Sequence, residues 1–324
     1  LLRFGGEAVI MGELSPGDFV ATLSYLEMLI WPMLGAGFTV NLLQRGAASL
    51  GRVKQILDEE PEIQSPTNPV TSVPSTAISI RNLSFAYGDA EEAALEEISI
   101  DVPEGSILGI LGRTGSGKST LLRLLPRLQN PPRGTVFVGG IDVLDYDVDS
   151  LRSAFGTVPQ DTFLFSATLR ENVAFAIDDP DEAWIQHVAD VSTISRDMKA
   201  FPNGWETPVG ERGITLSGGQ KQRVAISRAL AKDPRILVFD DALSAVDTET
   251  EELILNKLLN EREGRTSIIV SHRVSTLATA DQVVVLDHGR LIQQGTHEEL
   301  LKHDGFYREV ALLQQLSRTA TEKD

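Results

Sequence analysis

The chain contains no cysteine. That excludes disulfides, thiolate metal sites and a thiol nucleophile, and it fits a reducing compartment. Basic residues are the next shortage, with 29 Lys and Arg against 46 Asp and Glu and a formal net charge of −17. A general phosphate-backbone binder carries a basic face, so no nucleic-acid partner is expected. No charged segment precedes an apolar core at the N-terminus, so the pattern of a signal peptide is missing. An initiator Met is missing too, and Leu1 opens an apolar stretch, which predicts a fragment of a longer protein. The rest is ordinary: 324 residues, 42% hydrophobic and 23% charged, suffice for a sizeable core and roughly two domains. There is no repeat at solenoid or propeller periods. His187, His288, His297 and His303 show no metal-ligand spacing and read as ordinary surface or core residues.

Between Asp18 and Gln44 the only charged residues are Asp18 itself and Glu27. A helix over that stretch is roughly 40 Å long, enough to cross a hydrocarbon core of about 30 Å. Trp31-Pro32 predicts a kink, which membrane helices tolerate. Glu27 has to face protein or a water-filled cavity if the helix spans. Arg45, Arg52 and Lys54 follow, which puts the downstream end in the cytoplasm. A buried helix of a soluble domain is the alternative, kept open by Thr22, Ser24, Glu27 and Asn41. Residues 50–57 continue the helix amphipathically. Residues 61–76 hold four prolines and several Ser and Thr, a linker composition.

From residue 77 the period changes. Residues 78–83 and 98–102 alternate like strands, and 107–111 is continuously apolar, as a strand buried on both faces should be. Further apolar runs at 235–239, 267–270 and 282–286 alternate with helical stretches at 218–231 and 249–259. That order predicts an α/β domain with a mainly parallel sheet and a ligand at the carboxyl ends of its strands.

Gly112-Arg113-Thr114-Gly115-Ser116-Gly117-Lys118-Ser119 fits G-x-x-x-x-G-K-[ST] between a strand and a helix, the context a P-loop requires. Its glycines let backbone N–H groups turn inward around phosphates. Lys118 can reach the β- and γ-phosphates, the Ser119 hydroxyl can ligate Mg²⁺, and Thr114, Gly115, Ser116, Gly117 and Thr120 complete the expected phosphate cradle. Asp240 closes the apolar run 235–239, where a phosphoryl-transfer enzyme needs a carboxylate for Mg²⁺. Leu216-Ser217-Gly218-Gly219-Gln220 opens a second helix with free N–H groups, hence a second anion site. One domain has little use for two such sites on one γ-phosphate unless two copies meet head to tail. Each ATP then lies between the P-loop of one subunit and residues 216–220 of the other.

These residues resemble the ABC transporter ATPases. GRTGSGKST looks like the Walker A motif, ILVFD like Walker B and LSGGQKQR like the family signature. The resemblance covers roughly residues 77–316 and implies a P-loop ABC-type nucleotide-binding domain with a helical subdomain. It gives Tyr87 the place of the adenine-stacking aromatic, Gln160 that of the Q-loop glutamine (a Mg²⁺ ligand and catalytic contributor), and His272 that of the switch histidine. Ser244-Ala245-Val246-Asp247 looks like the D-loop. Residues 210–213, Gly-Glu-Arg-Gly, are similar to the exporter X-loop. An apolar helix fused ahead of such a domain resembles an exporter half-transporter. On that reading residues 1–60 end a transmembrane domain, 61–76 link, 77–316 bind ATP and 317–324 form a tail. The protein then sits in the plasma (cell inner) membrane with the ATPase in the cytoplasm, and its partners are a second half-transporter and further transmembrane helices.

One residue departs from the family pattern. Active members carry Glu after the Walker B aspartate, where this chain has Asp241. The shorter side chain pulls the carboxylate back by about 1.5 Å, and a misplacement on the order of 1 Å can cost about 100-fold in rate. This predicts a heterodimer whose own site turns over slowly, with a homodimeric exporter of slow turnover as the alternative. A non-transport ABC ATPase is the less favoured class, because residues 160–216 are too few for a coiled-coil insertion and only one ATPase domain is present. An unrelated P-loop kinase or GTPase does not account for the signature.

Overall fold

The computed structural model describes residues 2–88, 90, 92–260 and 264–321; Leu1 and the last three residues of the expected tail lie outside them. The chain divides into two compact units, Leu1–Glu62 and Ile63–Asp324.

The first unit is two helices, α1 (Leu2–Ile10) and α2 (Pro16–Leu57). Ser15 caps α2 by accepting from the Asp18 N–H at 3.1 Å, and Pro16 sits in the first turn. The 42 residues of α2 make a rod of about 63 Å, continuous through Pro32. Thr22, Ser24 and Thr39 turn their hydroxyls back onto the carbonyls of Asp18, Val20 and Gly35. A polar side chain satisfied by its own helix can sit on an apolar surface. A Cβ on Gly5 would lie 2.7 Å from the Phe19 ring, so the glycine lets α1 close onto α2. Among the described residues α2 is the one helix long and apolar enough to cross a membrane, and none of its residues is buried.

The second unit holds, in chain order, β1 (Ile78–Phe85), β2 (Leu95–Val102), β3 (Ile107–Gly112), α3 (Lys118–Leu124), β4 (Val136–Val138), β5 (Ile141–Asp142), α4 (Val148–Ser153) and β6 (Phe155–Val158). Then come α5 (Leu169–Val173), α6 (Glu182–Val191), α7 (Gly218–Ala231), β7 (Ile236–Asp240), α8 (Thr248–Asn260), β8 (Thr266–Val270), α9 (Val274–Leu277), β9 (Gln282–Asp287), β10 (Arg290–Gly295), α10 (His297–Lys302) and α11 (Phe306–Thr321). The main sheet has the order β10-β9-β3-β8-β7-β6, parallel except at β10. β1 and β2 do not join it. Among the described residues no helix separates them, and they pair antiparallel and form a second sheet, β2-β1-β4-β5. Gly139 and Gly140, at φ 58° and 78°, make the tight turn between β4 and β5.

β3 sets the layers. Its Leu108 and Ile110 face a core shared with the antiparallel sheet and with Leu121 and Leu124 of α3. Ile107 faces a second core built with α5, α6, α7 and α8. Leu111 joins a third with α9, α10 and α11. A strand enclosed on both faces has no polar side to show, which is why its sequence is continuously apolar.

The proline-rich stretch is neither helix nor strand, yet it is pinned. Val70 exchanges backbone hydrogen bonds with Asp145 and Asp147 at 2.9 Å each, and the Ser65 hydroxyl donates to Asp147 at 2.8 Å. Thr76 is fully buried and accepts from the Thr266 hydroxyl at 2.8 Å.

Candidate nucleotide site

Register brings the chemistry-bearing residues to one sheet edge. Val270 of β8 lies between Ile110 of β3 and Asp240 of β7, and Val158 of β6 pairs with Phe239. The residues that follow those strand ends are the loop 112–118, Asp241, His272 and Gln160. Gly112 ends β3 where no side chain fits, because a Cβ would meet the Leu286 carbonyl at 2.4 Å and Ser116 Oγ at 2.5 Å. Gly117, the N-cap of α3, has φ 96° and would drive a Cβ into Leu95. Thr114 and Gly115 form the exposed tip, Ser116 is buried, and an open pocket of about 190 Å³ is lined by Ala94 and residues 115–120.

Lys118 is 8% exposed. Its Nζ donates to the carbonyls of Gly112 and Arg113, both at 2.8 Å. Burial pushes its pKa down, while Asp240 and then Asp241 pull it back up. Ser119 Oγ donates to Asp240 Oδ2 at 2.9 Å, so the hydroxyl and carboxylate oxygens share one spot at the mouth of α3. The Tyr87 hydroxyl donates to Thr120 Oγ1 at 3.1 Å, and its ring stands edge-on to Phe85 with centroids 5.1 Å apart. Asp241 adopts φ 50° and donates its N–H to the Val270 carbonyl at 3.0 Å. Gln160 and His272 are exposed at their strand ends.

Ser217–Gln220 are not part of that pocket. They start α7 in the helical layer, where Ser217 Oγ accepts from the Gln220 N–H at 3.2 Å and Gln220 Oε1 accepts from the Ser217 N–H at 3.0 Å. The loop 244–247 is docked beside them. Buried Gln222 accepts from the Ala245 N–H at 2.9 Å and donates to Ser244 Oγ at 3.3 Å. A Cβ on Gly219 would lie 3.0 Å from the Ala245 carbonyl.

Sequence reasoning missed the residues that bind these loops together. Asn172 is fully buried and accepts from Phe165 N–H at 2.9 Å and from Arg228 Nη2 at 2.6 Å. Arg228 also donates to the Phe163 carbonyl at 2.8 Å, tying the segment after Gln160 to α7. Burial lowers the pKa of that guanidinium. Arg273 pairs with buried Glu251 and reaches the carbonyls of Ser244 and Val246, both at 3.3 Å. Of these, Arg273 alone lay next to a motif position, His272.

An ABC transporter family model matches residues 95–244. The multidrug resistance-like ATP-binding protein MdlA of Escherichia coli (strain K12) is 39% identical over 318 residues, covering 98% of this chain and 54% of that protein. The chain carries an ABC nucleotide-binding domain. An ATP-dependent lipid A-core flippase of Burkholderia orbicola (strain AU 1054) is 38% identical over 304 residues, 94% of this chain and 51% of that protein. The solved structure of a bacterial Atm1-family ABC exporter with ATP bound superposes at a TM-score of 0.83 with 38% identity, over 92% of this chain and 52% of that one. The chain thus spans about half the length of the relatives it matches. Its ABC domain is an ATPase of the transporter type, preceded by a long apolar helix.

Proposed function

We propose that this chain is the ATPase end of an ABC exporter, in which two such domains close head to tail on two ATP molecules and drive a cargo across a membrane. The observation that carries the reading is the placement of two glycine-lined helix N-termini in separate layers of one domain, one over a pocket and the other outside it. A second copy supplies the missing half of each site. α2 is then membrane-spanning, with Arg45, Arg52 and Lys54 on the cytoplasmic side of its apolar stretch. The relatives named for multidrug resistance, lipid A-core and Atm1-type export support the exporter class.

Within the site, Lys118 leaves the loop carbonyls to meet the β- and γ-phosphates, and the N–H groups of residues 115–119 surround them. Ser119 and Asp240 are hard oxygen donors already 2.9 Å apart and suit Mg²⁺, with Gln160 from the neighbouring strand end as a further oxygen. That ion supplies positive charge at the phosphate oxygens. Tyr87 stacks on the base, Asp241 orients the attacking water, and His272 holds the γ-phosphate side of the closed site. Ser217, Gly218, Gly219 and Gln220 of the partner copy close it from the other face.

The Asp241 carboxylate decides between a partner of the same sequence and one carrying Glu. A short carboxylate favours a slow site completed in a heterodimer. Its φ of 50° favours Asp over Glu on backbone grounds alone, which supports a homodimer built around Asp. Mg-ATP turnover of the wild type beside Asp241→Glu, over a range of protein concentrations, separates the two. A heterodimer subunit gives a nearly silent wild type and a Glu variant faster by about 100-fold. Equal rates remove the heterodimer. Specific activity independent of concentration in both proteins, down to dilutions where dimers dissociate, overturns the shared site itself.

A further inference from the structure

We propose that Gln314 of α11 is a positioning residue for His272, a role that rests on the reading of His272 given above. Its side-chain amide brackets the histidine's backbone. Nε2 donates to the His272 carbonyl at 2.6 Å, and Oε1 accepts from the Val274 N–H at 2.9 Å. The imidazole is exposed, so its place over the sheet edge is set by the backbone that carries it. That backbone is held from two directions. On one side Ser271 Oγ accepts from the Arg273 N–H at 3.0 Å, and the Arg273 guanidinium ties to Glu251 and to the carbonyls of Ser244 and Val246. On the other side stands Gln314.

α11 is anchored well enough to serve as the fixed point. Phe306, in its first turn, lies under the Arg113 guanidinium of the phosphate loop at 5.0 Å from the ring centroid. Tyr307 is fully buried, with its hydroxyl on His297 Nδ1 at 2.7 Å and its N–H donating to Gln293 Oε1 at 3.1 Å. Gln314 follows about two helical turns later, roughly 12 Å along the axis from Phe306. One helix therefore touches the phosphate loop at its start and the histidine loop further on. A neutral amide offers a donor and an acceptor on two adjacent atoms, which suits a carbonyl and an N–H side by side. Glu keeps the acceptor and loses the donor, and Leu keeps the volume and loses both.

The test is a double-mutant cycle on the full chain in detergent, reading steady-state Mg-ATP kcat and KM for wild type, Gln314→Leu, His272→Ala and the double variant. If wild-type turnover is too low to measure, the cycle is run in the Asp241→Glu background. Gln314→Leu is expected to lower kcat on the order of 10-fold, since a misplaced group near the reacting atoms costs rate steeply. KM should move by less than about 2-fold, the mark of an interaction that matters after binding. In the His272→Ala background the same change should add nothing. An equal drop in both backgrounds makes Gln314 merely structural and overturns the proposal, as does an unchanged kcat in Gln314→Leu while His272→Ala is slow. If His272→Ala itself turns over normally, the reading of His272 fails and the proposal falls with it. Should Gln314→Leu not fold, Gln314→Glu carries the same cycle, with an intermediate loss expected.

Discussion

Helices α3 and α7 both begin at glycine-rich turns, and both lie in the same ABC domain, yet their first turns are completed differently. Gly117 at the start of α3 offers no side-chain cap, and buried Lys118 rests meanwhile on the loop's own carbonyls. Ser217 and Gln220 at the start of α7 cap each other reciprocally, and the nearby Arg223 cation is already paired with Asp197. The orphan N–H groups of a helix start must find partners somewhere. α3 leaves them without a side-chain cap and keeps the Lys118 cation beside them. α7 satisfies part of its own set and presents two bare glycines. The first opens onto a pocket, and the second lies outside it with its glycines against Ala245, although both read as anion sites in the sequence.

Removing the cation should produce the largest effect. Lys118→Ala deletes the ammonium and leaves two carbonyls without their donor, so ATP turnover should fall by about 100- to 1,000-fold, comparable with losing a transition-state donor. Equilibrium binding of a fluorescent ATP analogue should weaken with it. Retention of turnover within tenfold of wild type breaks the assignment of α3 as the phosphate end. At α7 the effect should be smaller and should separate from stability. Gly219→Ala puts a methyl 3.0 Å from the Ala245 carbonyl, which has to give way, and at the second residue of α7 the propensity gain is below the roughly 1 kcal/mol of a helix interior. Tm should change little, nucleotide binding should persist, and turnover should drop on the order of 10-fold if this turn meets the partner's nucleotide. A parallel loss of Tm and turnover means that α7 is only a structural helix start.

The two termini were legible in the sequence because each is a local statement, a few residues whose backbone needs are written in glycine and serine. α7 begins and ends where its periodicity and Ser217 said it would, and the edge occupied by residues 112–118, Asp240 and His272 followed from apolar runs ending in polar residues. The second sheet was not legible. β4 and β5 are three and two residues long, too short to show a period, and nothing local says that β1 pairs with β4 across more than fifty residues. The clamps were equally hidden. Asn172 with Arg228, Gln222 with Ala245 and Arg273 with Glu251 are long-range contacts of common polar residues, and a single sequence gives no reason to pair them. The Lys118 contacts were only half legible, since the motif names its phosphate partners but not the carbonyls that hold it otherwise.

A third helix start sharpens the contrast through pH. α8 is preceded by Asp247, whose Oδ1 accepts from the Thr250 N–H at 3.0 Å. The backbone and side-chain hydrogen bonds from Thr250 hold that carboxyl below its ordinary value of 3.8. A carboxylate favoured in the folded state contributes stability that is present above the unfolded pKa and is lost as pH falls through the lower, folded one. The window is therefore acidic, at and below about pH 4. Asn caps a helix almost as well but carries no charge for the helix dipole. Melting curves should show Asp247→Asn slightly less stable than wild type near neutrality, with the gap closing as the pH drops through that window. Ser217→Ala removes a neutral cap, so its deficit should hold constant across the same range. A gap that closes for both variants assigns the acid sensitivity to the fold at large, and a gap that closes for neither leaves Asp247 no charge-dependent part in starting α8.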